Sequence, residues 1–333
     1  MAELALNPVS PLLDGQGILI DSVVKSFKPS IRNIIRMGNR KRVLALNEIS
    51  LKVLPGEALG VIGPNGAGKT TLMGCLLGFL RPEKGSIYIE GLPPESLHIK
   101  KLIGYLPERL TFDRWMTAIE FVSYHHELAG MPQDSRQQDV EELLTKVGLD
   151  SNVWTSQLSR FSRGMLQRLG LAQSLIGKPK YLFLDEPVSG VDPGGALQIR
   201  QVLSELKKSG MTIVVNSHQL DQVEKICDRV VFVNKGRVEA VEDLLEPDHQ
   251  RRLVLIKFDS HEGELPDAEK LGNIARQCGA EVTSFSFLHA TVEVRDNKAL
   301  VTLVKTLVSE NHPVLEVVPQ SGRLERFFME GKS

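Results

Sequence analysis

The hydrophobic positions of the first 235 or so residues form short apolar runs, with helix-like periodicity between them. Alternating apolar residues near Ile18–Val24 and across Val43–Val53 predict strands, because successive side chains of a strand point to opposite faces. Leu59–Ile62 is typical of a short buried strand, and Lys69–Phe79 is helix-like. Further strands are predicted over Ser86–Ile89, Tyr181–Leu184, Thr212–Val215 and Val230–Val233. This alternation indicates an α/β fold with a mixed sheet.

The pattern changes after about Arg237. The remaining residues predict the order βαββαβ, which is the ferredoxin-like arrangement. Its strands are predicted over Arg252–Phe258, Val282–Phe287, Ala290–Val294 and Val314–Val318, and its helices over Ala268–Gln277 and Ala299–Ser309. A small C-terminal α+β domain therefore follows the larger α/β domain.

Composition limits the class of protein. The chain has 333 residues, a net charge of −1, 42% hydrophobic and 24% charged residues, which suits one large or two ordinary folded domains. The near-zero net charge gives no global reason to expect a nucleic-acid partner. Cys75, Cys227 and Cys278 have no CxxC spacing, so they suggest neither a disulfide framework nor a zinc site, and they fit a reducing cytosol.

Membrane-spanning segments are not predicted. No apolar run approaches the roughly 18 to 20 residues that span a bilayer. Residues 1–13 lack the basic start and apolar core of a secretory signal, and residues 1–16 are interpreted as a loose leader. We therefore expect a cytoplasmic protein, which leaves membrane association through a partner open.

A glycine-rich loop carries the strongest motif. Gly63–Thr70 fits GxxxxGK[ST], with the required strand before it and helix after it. Glycines let backbone N–H groups approach phosphates, and the helix N-terminus adds positive potential. Lys69 would reach the β- and γ-phosphates of ATP, and the Thr70 hydroxyl would bind Mg²⁺. The predicted phosphate-binding residues are Gly63, Pro64, Asn65, Gly66, Ala67, Gly68, Lys69, Thr70 and Thr71.

Two carboxylates follow the apolar strand Tyr181–Leu184. Asp185 is placed to hold the hydration shell of Mg²⁺, and Glu186 to orient and deprotonate the attacking water. A polar strand end is common in isolation, but its pairing with a phosphate loop upstream favours nucleotide hydrolysis. Lys69, Glu186 and, below, His218 are the predicted catalytic residues.

Further motifs identify a family. Phe161–Arg168 resembles the signature motif of ATP-binding cassette (ABC) transporters, and Ser189–Asp192 follows the acidic strand as the D-loop of that family does. His218 resembles its switch histidine, and Phe27 the aromatic residue that stacks on adenine. Over most of residues 17–240, the chain resembles the nucleotide-binding subunit of these transporters, a P-loop NTPase fold with a helical subdomain.

The resemblance implies a mechanism and partners. Two cassettes, identical or paired, would pack head to tail with each ATP between one phosphate loop and the other signature. Ser162 and the backbone at Gly164 would donate to the γ-phosphate across that interface, and His218 would hydrogen-bond it. Asp192 is assigned to the nucleotide interface, where it would tune the dimer. An integral membrane permease would hold the dimer at the cytoplasmic face of the membrane.

Three departures from the family pattern narrow the subtype. Arg163 and Met165 replace a usual glycine and glutamine, and Glu108 replaces a usual glutamine, which makes it a candidate metal ligand. Asn216 before Ser217-His218 is unusual and has no explanation in the sequence. The altered signature and Glu108, together with the tail motif Arg323–Glu330, resemble features of exporters whose permease is a separate chain. The permease would dock beside Glu108 and residues 110–130, whose aromatic residues Phe112, Trp115, Phe121 and Tyr124 suit either a core or an exposed cleft.

A basic run, Lys25–Arg42, holds no acidic residue. It suits either a solvated loop or a short amphipathic helix near anionic lipid or the permease. The predicted organisation is a nucleotide-binding domain at 17–243 with an insertion at about 28–42, then an accessory or dimerisation domain at 244–333.

Two classes of function remain. The leading one is the energy-coupling ATPase of an ABC exporter. The alternative is a non-transport or regulatory ABC ATPase that acts as an ATP-dependent switch on another macromolecule. One phosphate loop and no room for a long coiled coil before Ser162 disfavour the translation and DNA-repair types.

Overall fold

The computed structural model describes residues 17–28, 42–244, 252–259, 265–286 and 288–319. The predicted leader, residues 29–41 of the basic run and the tail motif 323–330 lie outside this range. The chain divides into two compact units between Leu245 and Glu246. In the described residues, no helix is long and apolar enough to cross a membrane.

The described residues of the first unit form two sheets. Its strands are β1 (Ile18–Phe27), β2 (Val43–Val53), β3 (Ala58–Ile62), β4 (Lys84–Ile89), β5 (Ile103–Leu106), β6 (Tyr181–Asp185), β7 (Thr212–Ser217), β8 (Arg229–Asn234) and β9 (Arg237–Asp243). Strands β2, β1 and β4, in that order, form an antiparallel sheet. The other six form a sheet in the order β5-β6-β7-β3-β8-β9, parallel except for β9. The predicted mixed α/β fold is confirmed.

The parallel sheet brings the chemistry to one edge. Strands β3, β6 and β7 are buried along their whole length. The sequences of β3 and β6 are almost entirely apolar, whereas β7 also buries Thr212, Asn216 and Ser217. The three strands are neighbours in the order β6-β7-β3. Parallel strands end at the same edge of a sheet, so the last residues of β6, β7 and β3 lie close together; these are Asp185, Ser217 and Ile62. The phosphate loop begins directly after Ile62.

The helices of the first unit are α1 (Lys69–Leu76), α2 (Leu97–Leu102), α3 (Ala118–Leu128), α4 (Arg136–Lys146), α5 (Arg163–Ser174), α6 (Pro193–Lys208) and α7 (Leu220–Val223). Helix α1 ends three residues before the predicted Phe79. The amides of both Phe79 and Leu80 donate to the Gly74 carbonyl, and Gly78 turns the chain in a left-handed conformation. The helix therefore stops where glycine closes it.

The predicted docking segment 110–130 mixes core and surface. Phe121 on α3 is 4% exposed, and its ring lies 5.0 Å from the Phe112 ring. Trp115 and Tyr124 are 80% and 53% exposed. Phe121 thus belongs to the core, whereas Trp115 and Tyr124 are available at the surface.

A close approach occurs at Gly60 in the middle of β3. A Cβ at this position would overlap Cγ1 of Val223 on α7 and would lie 3.2 Å from Cys227 Sγ and 3.3 Å from Val230 Cγ2. Only a residue without a side chain lets α7 pack on the strand that leads to the phosphate loop.

The second unit has the predicted ferredoxin-like order. Its elements are β10 (Arg252–Phe258), α8 (Ala268–Gln277), β11 (Ala280–Ser286), β12 (His289–Val294), α9 (Asn297–Ser309) and β13 (Val314–Pro319). The sheet order is β11-β12-β10-β13, and every pair is antiparallel. Side chains such as Ile256, Leu271, Val292 and Leu303 form its core. The predicted α+β domain is therefore confirmed in fold.

Candidate functional site

The phosphate loop depends on its glycines. A Cβ at Gly63 would overlap the Val233 carbonyl, and one at Gly68 would overlap the Ala45 carbonyl. Gly66 adopts a φ of 82° and has open space around it. The first two glycines let the loop approach neighbouring backbone, and the third exposes the loop to a ligand. This concave backbone at a helix N-terminus fits a phosphate group.

Lys69, the first residue of α1, lies inside this loop. It is 8% exposed, and its Nζ donates to the carbonyl oxygens of Gly63 at 2.8 Å and Pro64 at 3.3 Å. Burial lowers the pKa of Lys69, and the charges of Glu186 and Asp185 oppose that effect. The ammonium group is thus held at the loop, near both strand-end acids.

Three oxygen-bearing side chains are the predicted ligands of Mg²⁺, namely Thr70, Glu108 and Asp185. Asp185 is 6% exposed, whereas the predicted ligands Thr70 and Glu108 are exposed. Burial raises the pKa of Asp185, and the charges of Glu108 and Glu186 add to the rise, while Asn216 and Lys69 oppose it. In the described part of the chain, no group of three or more His, Cys, Asp or Glu residues could hold a metal. This donor set suits Mg²⁺, which typically takes one or two carboxylates together with substrate phosphates.

The Glu186 side chain is hydrogen-bonded to residues at the end of β7 and directly after it. Its Oε1 accepts from the His218 amide at 2.9 Å and lies 2.6 Å from His218 Nδ1, and its Oε2 accepts from Ser217 Oγ at 3.1 Å. Its backbone φ of 51° is rare for glutamate and marks a strained position. The structure therefore brings the predicted base and the predicted switch histidine into direct contact.

The signature and the D-loop lie against each other. Ser162 caps α5 by accepting from the Met165 amide at 3.2 Å, and Asp192 caps α6 by accepting from the Gly195 amide at 3.0 Å. The Gly195 bond holds the pKa of Asp192 below its usual value. A Cβ at Gly164 would lie 3.2 Å from Val191 Cγ1. In the described residues, the hydrogen bonds of Ser162 and Asp192 stay within their own helices and do not reach the phosphate loop.

Two further predicted residues, Phe27 and Glu108, are exposed. Phe27, at the end of β1, is 39% exposed, and Lys25 Nζ lies 5.8 Å from the centre of its ring. This exposed ring could stack on a base. Glu108 borders a cavity of about 480 Å³, which is also lined by Leu110, Phe112, Arg114, Arg163 and Gln167.

Sequence reasoning missed the roles of Asn216 and Ser217. Asn216 Nδ2 donates to Asp185 Oδ1 at 2.6 Å, so the unusual residue before Ser217-His218 contacts a predicted metal ligand. The neighbouring Ser217 contacts Glu186. The signal that could have found both is strand register, because Asn216 lies opposite Asp185 on adjacent parallel strands.

Comparison with known proteins agrees with this geometry. The family model described as ABC transporter matches residues 46–189. An uncharacterized ABC transporter ATP-binding protein of Nostoc sp. is 43% identical over 211 residues, which cover 62% of this chain and 63% of the relative. The methionine import ATP-binding protein MetN of Thermobifida fusca is 36% identical, with coverage of 60% and 64%. The chain thus spans less than two thirds of the length of these two relatives.

Solved structures share the fold. The post-hydrolysis dimer of the cassette MJ0796, bound to ADP and Pi, has a TM-score of 0.60 at 24% identity, covering 68% of this chain and 98% of that chain. For cbiO1 of Clostridium perfringens the TM-score is 0.59 at 26% identity, with coverage of 69% and 90%.

The lantibiotic transport ATP-binding protein SrtF of Streptococcus pyogenes is 35% identical over 62% of this chain and 87% of its own length. The chain therefore belongs to the family of ABC transporter ATP-binding proteins.

Proposed function

We propose that this chain hydrolyses ATP to drive a separately encoded permease. The observation that carries the proposal is that Asp185 and Glu186, at the end of β6, lie near enough for their charges to act on Lys69 at the start of α1, with His218 touching Glu186. Hydrolysis needs a cation on the phosphates, a carboxylate near the metal and a base for water, and these residues supply one each.

Each residue has a distinct role in the proposal. Lys69 neutralises the β- and γ-phosphates, while Thr70 and Asp185 hold Mg²⁺, which withdraws charge from the phosphates when it is bound. Glu186 orients and deprotonates the attacking water, and His218 hydrogen-bonds the γ-phosphate.

Ser162 and Gly164 would act on a second subunit in this proposal. Both lie at the N-terminus of α5, where free amides and the helix dipole favour a phosphate. The phosphate they serve would belong to the other cassette of a head-to-tail dimer, with Asp192 tuning the interface.

The glutamine variant of Glu186 tests hydrolysis. We expect E186Q to lower the rate of ATP hydrolysis by roughly 10²- to 10⁴-fold, because the base is lost, and to retain ATP affinity within a few-fold. E205Q on the exposed surface of α6 is the matched control and should hydrolyse ATP at the wild-type rate. Equal activity of E186Q and wild type would refute the role of Glu186.

Dimerisation has its own test. Light scattering of E186Q with and without ATP should show a dimer only with ATP, because the nucleotide is the link between the subunits. Adding S162A should weaken that dimer. A monomer at every ATP concentration would refute the sandwich.

Export through a permease is the finer part of the proposal. It is supported by Glu108 and Arg163, which depart from the usual motifs and line the same cavity of about 480 Å³. This cavity has the size of a binding cleft and could receive a short helix of a membrane partner. Relatives include a lantibiotic transport protein and a methionine import protein, so direction needs a direct test.

Docking and direction can be measured together. The chain should co-purify with the membrane protein encoded beside it, and R114E at the cavity should weaken that association without changing ATP binding. The exposed E205K on α6 is the control. In inverted vesicles, ATP-dependent accumulation of a compound inside supports export, whereas depletion supports import.

Lipid contact by Lys25–Arg42 is a separate part of the proposal, and most of this run lies outside the described residues. Neutralising Arg32, Arg36 and Arg40 should reduce sedimentation with vesicles that contain phosphatidylserine and spare nucleotide binding. Unchanged sedimentation would refute lipid contact. We also retain residues 17–243 as the nucleotide-binding domain and 244–333 as an accessory or dimerisation domain.

A further inference from the structure

Asn216 occupies an unusual place for an amide side chain. It lies near the end of β7, is 2% exposed, and pairs in register with Asp185 on β6. Its Nδ2 donates to Asp185 Oδ1 at 2.6 Å. Both neighbouring strands are buried along their length, so this is an interior bond between an amide and a carboxylate.

The same amide is costly for folding. Among the described residues, the Asn216 Oδ1 atom is buried and has no hydrogen-bond partner. A buried acceptor without a partner destabilises a fold. An apolar side chain would remove that cost but would leave the buried Asp185 carboxylate without this donor, so the amide and Asp185 need a joint explanation.

The neighbouring residues indicate what that explanation is. Asn216 contacts Asp185, while Ser217 and His218 contact Glu186. Three consecutive residues, at the end of β7 and directly after it, thus hydrogen-bond to the two consecutive acids at the end of β6 and directly after it, Asp185 and Glu186. The hydrogen bond to Oδ1 restrains the rotation of the Asp185 carboxylate, and Oδ2 would then remain available to a bound metal.

We propose that Asn216 is a positioning residue that orients Asp185 toward the Mg²⁺ that accompanies ATP. This inference rests on the proposed function. Groups that hydrogen-bond a metal-binding carboxylate typically change metal affinity by 10- to 100-fold when they are removed. The contribution should appear only when the metal is present, because the amide touches Asp185 and not the phosphate loop in the described contacts.

The test compares N216L with wild type in the full chain. Affinity for a fluorescent ATP analogue is measured against free Mg²⁺ and in EDTA. We expect the Mg²⁺ concentration at half-maximal effect to rise about 10- to 100-fold, and the affinity in EDTA to stay within twofold. The urea midpoint should fall, because leucine removes the unpartnered oxygen but also leaves the buried Asp185 Oδ1 without the donor it has in wild type. Electron paramagnetic resonance of Mn²⁺ gives the metal affinity directly.

A matched control lies on the same strand. Thr212 is 1% exposed, and its hydroxyl accepts from the Gly56 amide at 2.9 Å, away from the acids. T212V should lower the urea midpoint and leave the Mg²⁺ dependence unchanged. It therefore separates loss of stability from loss of metal orientation.

The outcomes are distinct. A wild-type Mg²⁺ midpoint in N216L, or an equal loss of affinity in EDTA, overturns the inference and leaves the proposed function intact. A wild-type protein without Mg²⁺-dependent nucleotide binding overturns the proposed function and this inference with it. Should N216L fail to fold, the same midpoints are measured in N216A.

Discussion

The close approach at Gly60 gives a sharp test of packing behind the site. In G60A the new methyl group overlaps Val223 Cγ1, while Cys227 Sγ at 3.2 Å and Val230 Cγ2 at 3.3 Å limit its escape. The φ of Gly60 is not in the left-handed region, so alanine meets no backbone strain and the effect isolates the missing space. Overpacking of this kind costs about 1–3 kcal/mol.

A second substitution identifies the contact. V223A alone removes two buried methyl groups and should cost about 2 kcal/mol. In the double variant the new methyl occupies the space that Val223 vacates, so the two costs should not add. We expect a coupling energy of roughly 1–2 kcal/mol in favour of the double variant.

The assay uses the two tryptophans of the chain. Trp115 and Trp154 both lie in the first unit, so their fluorescence during urea unfolding reports on that unit. A cost of about 2 kcal/mol corresponds to a fall in Tm of roughly 4–8 °C for a unit of this size. Val223 follows His218 by one short helix, so G60A should also slow ATP hydrolysis. Wild-type stability of G60A, or strict additivity in the double variant, would refute the reasoning.

Three other changes have defined outcomes. S162A should shorten or fray α5 and cost about 1 kcal/mol, which circular dichroism with urea unfolding would measure, and S162T should restore most of it. G272A, at an unstrained position inside α8, should stabilise the second unit by about 0.5–1 kcal/mol in calorimetry, and no gain would contradict the helix-propensity argument. A hydrogen bond from Lys180 lowers the pKa of Glu90, so its contribution to stability is present above the unfolded value near 4.5 and is lost as pH falls through the folded value. E90Q should therefore flatten the fall in unfolding free energy below pH 4.5, and a parallel fall in both proteins would refute this.

The sequence predicts the parts of the site that are local. The run Leu59–Ile62, the glycine loop and the following helix are adjacent in the chain, so their periodicity and spacing are enough to place them. Asp185 at the end of β6 and Glu186 directly after it are likewise marked by the apolar residues that precede them. The ferredoxin-like order of the second unit follows from apolar alternation in its strands and from helical periodicity in its helices.

The rest depends on contacts between distant segments. Asn216 and Asp185 are 31 positions apart, and only the pairing of β6 with β7 brings them together. β5 has four residues, which are too few for a period to be recognised in the sequence. The aromatic residues of 110–130 divide between core and surface according to tertiary packing, which periodicity alone does not resolve.

The pairing of β10 with β13 has a consequence for how the second unit can be moved. The first and last strands of this unit are antiparallel neighbours, and Val254 near the start of β10 lies opposite Pro319 at the end of β13. The first strand of the unit therefore begins, and its last strand ends, at one end of the sheet. A unit with adjoining ends can be grafted as a loop into another protein, or inserted within a cassette, without pulling its sheet apart. Because the start of β10 and the end of β13 are adjacent, both could be joined to a single surface loop of a host protein.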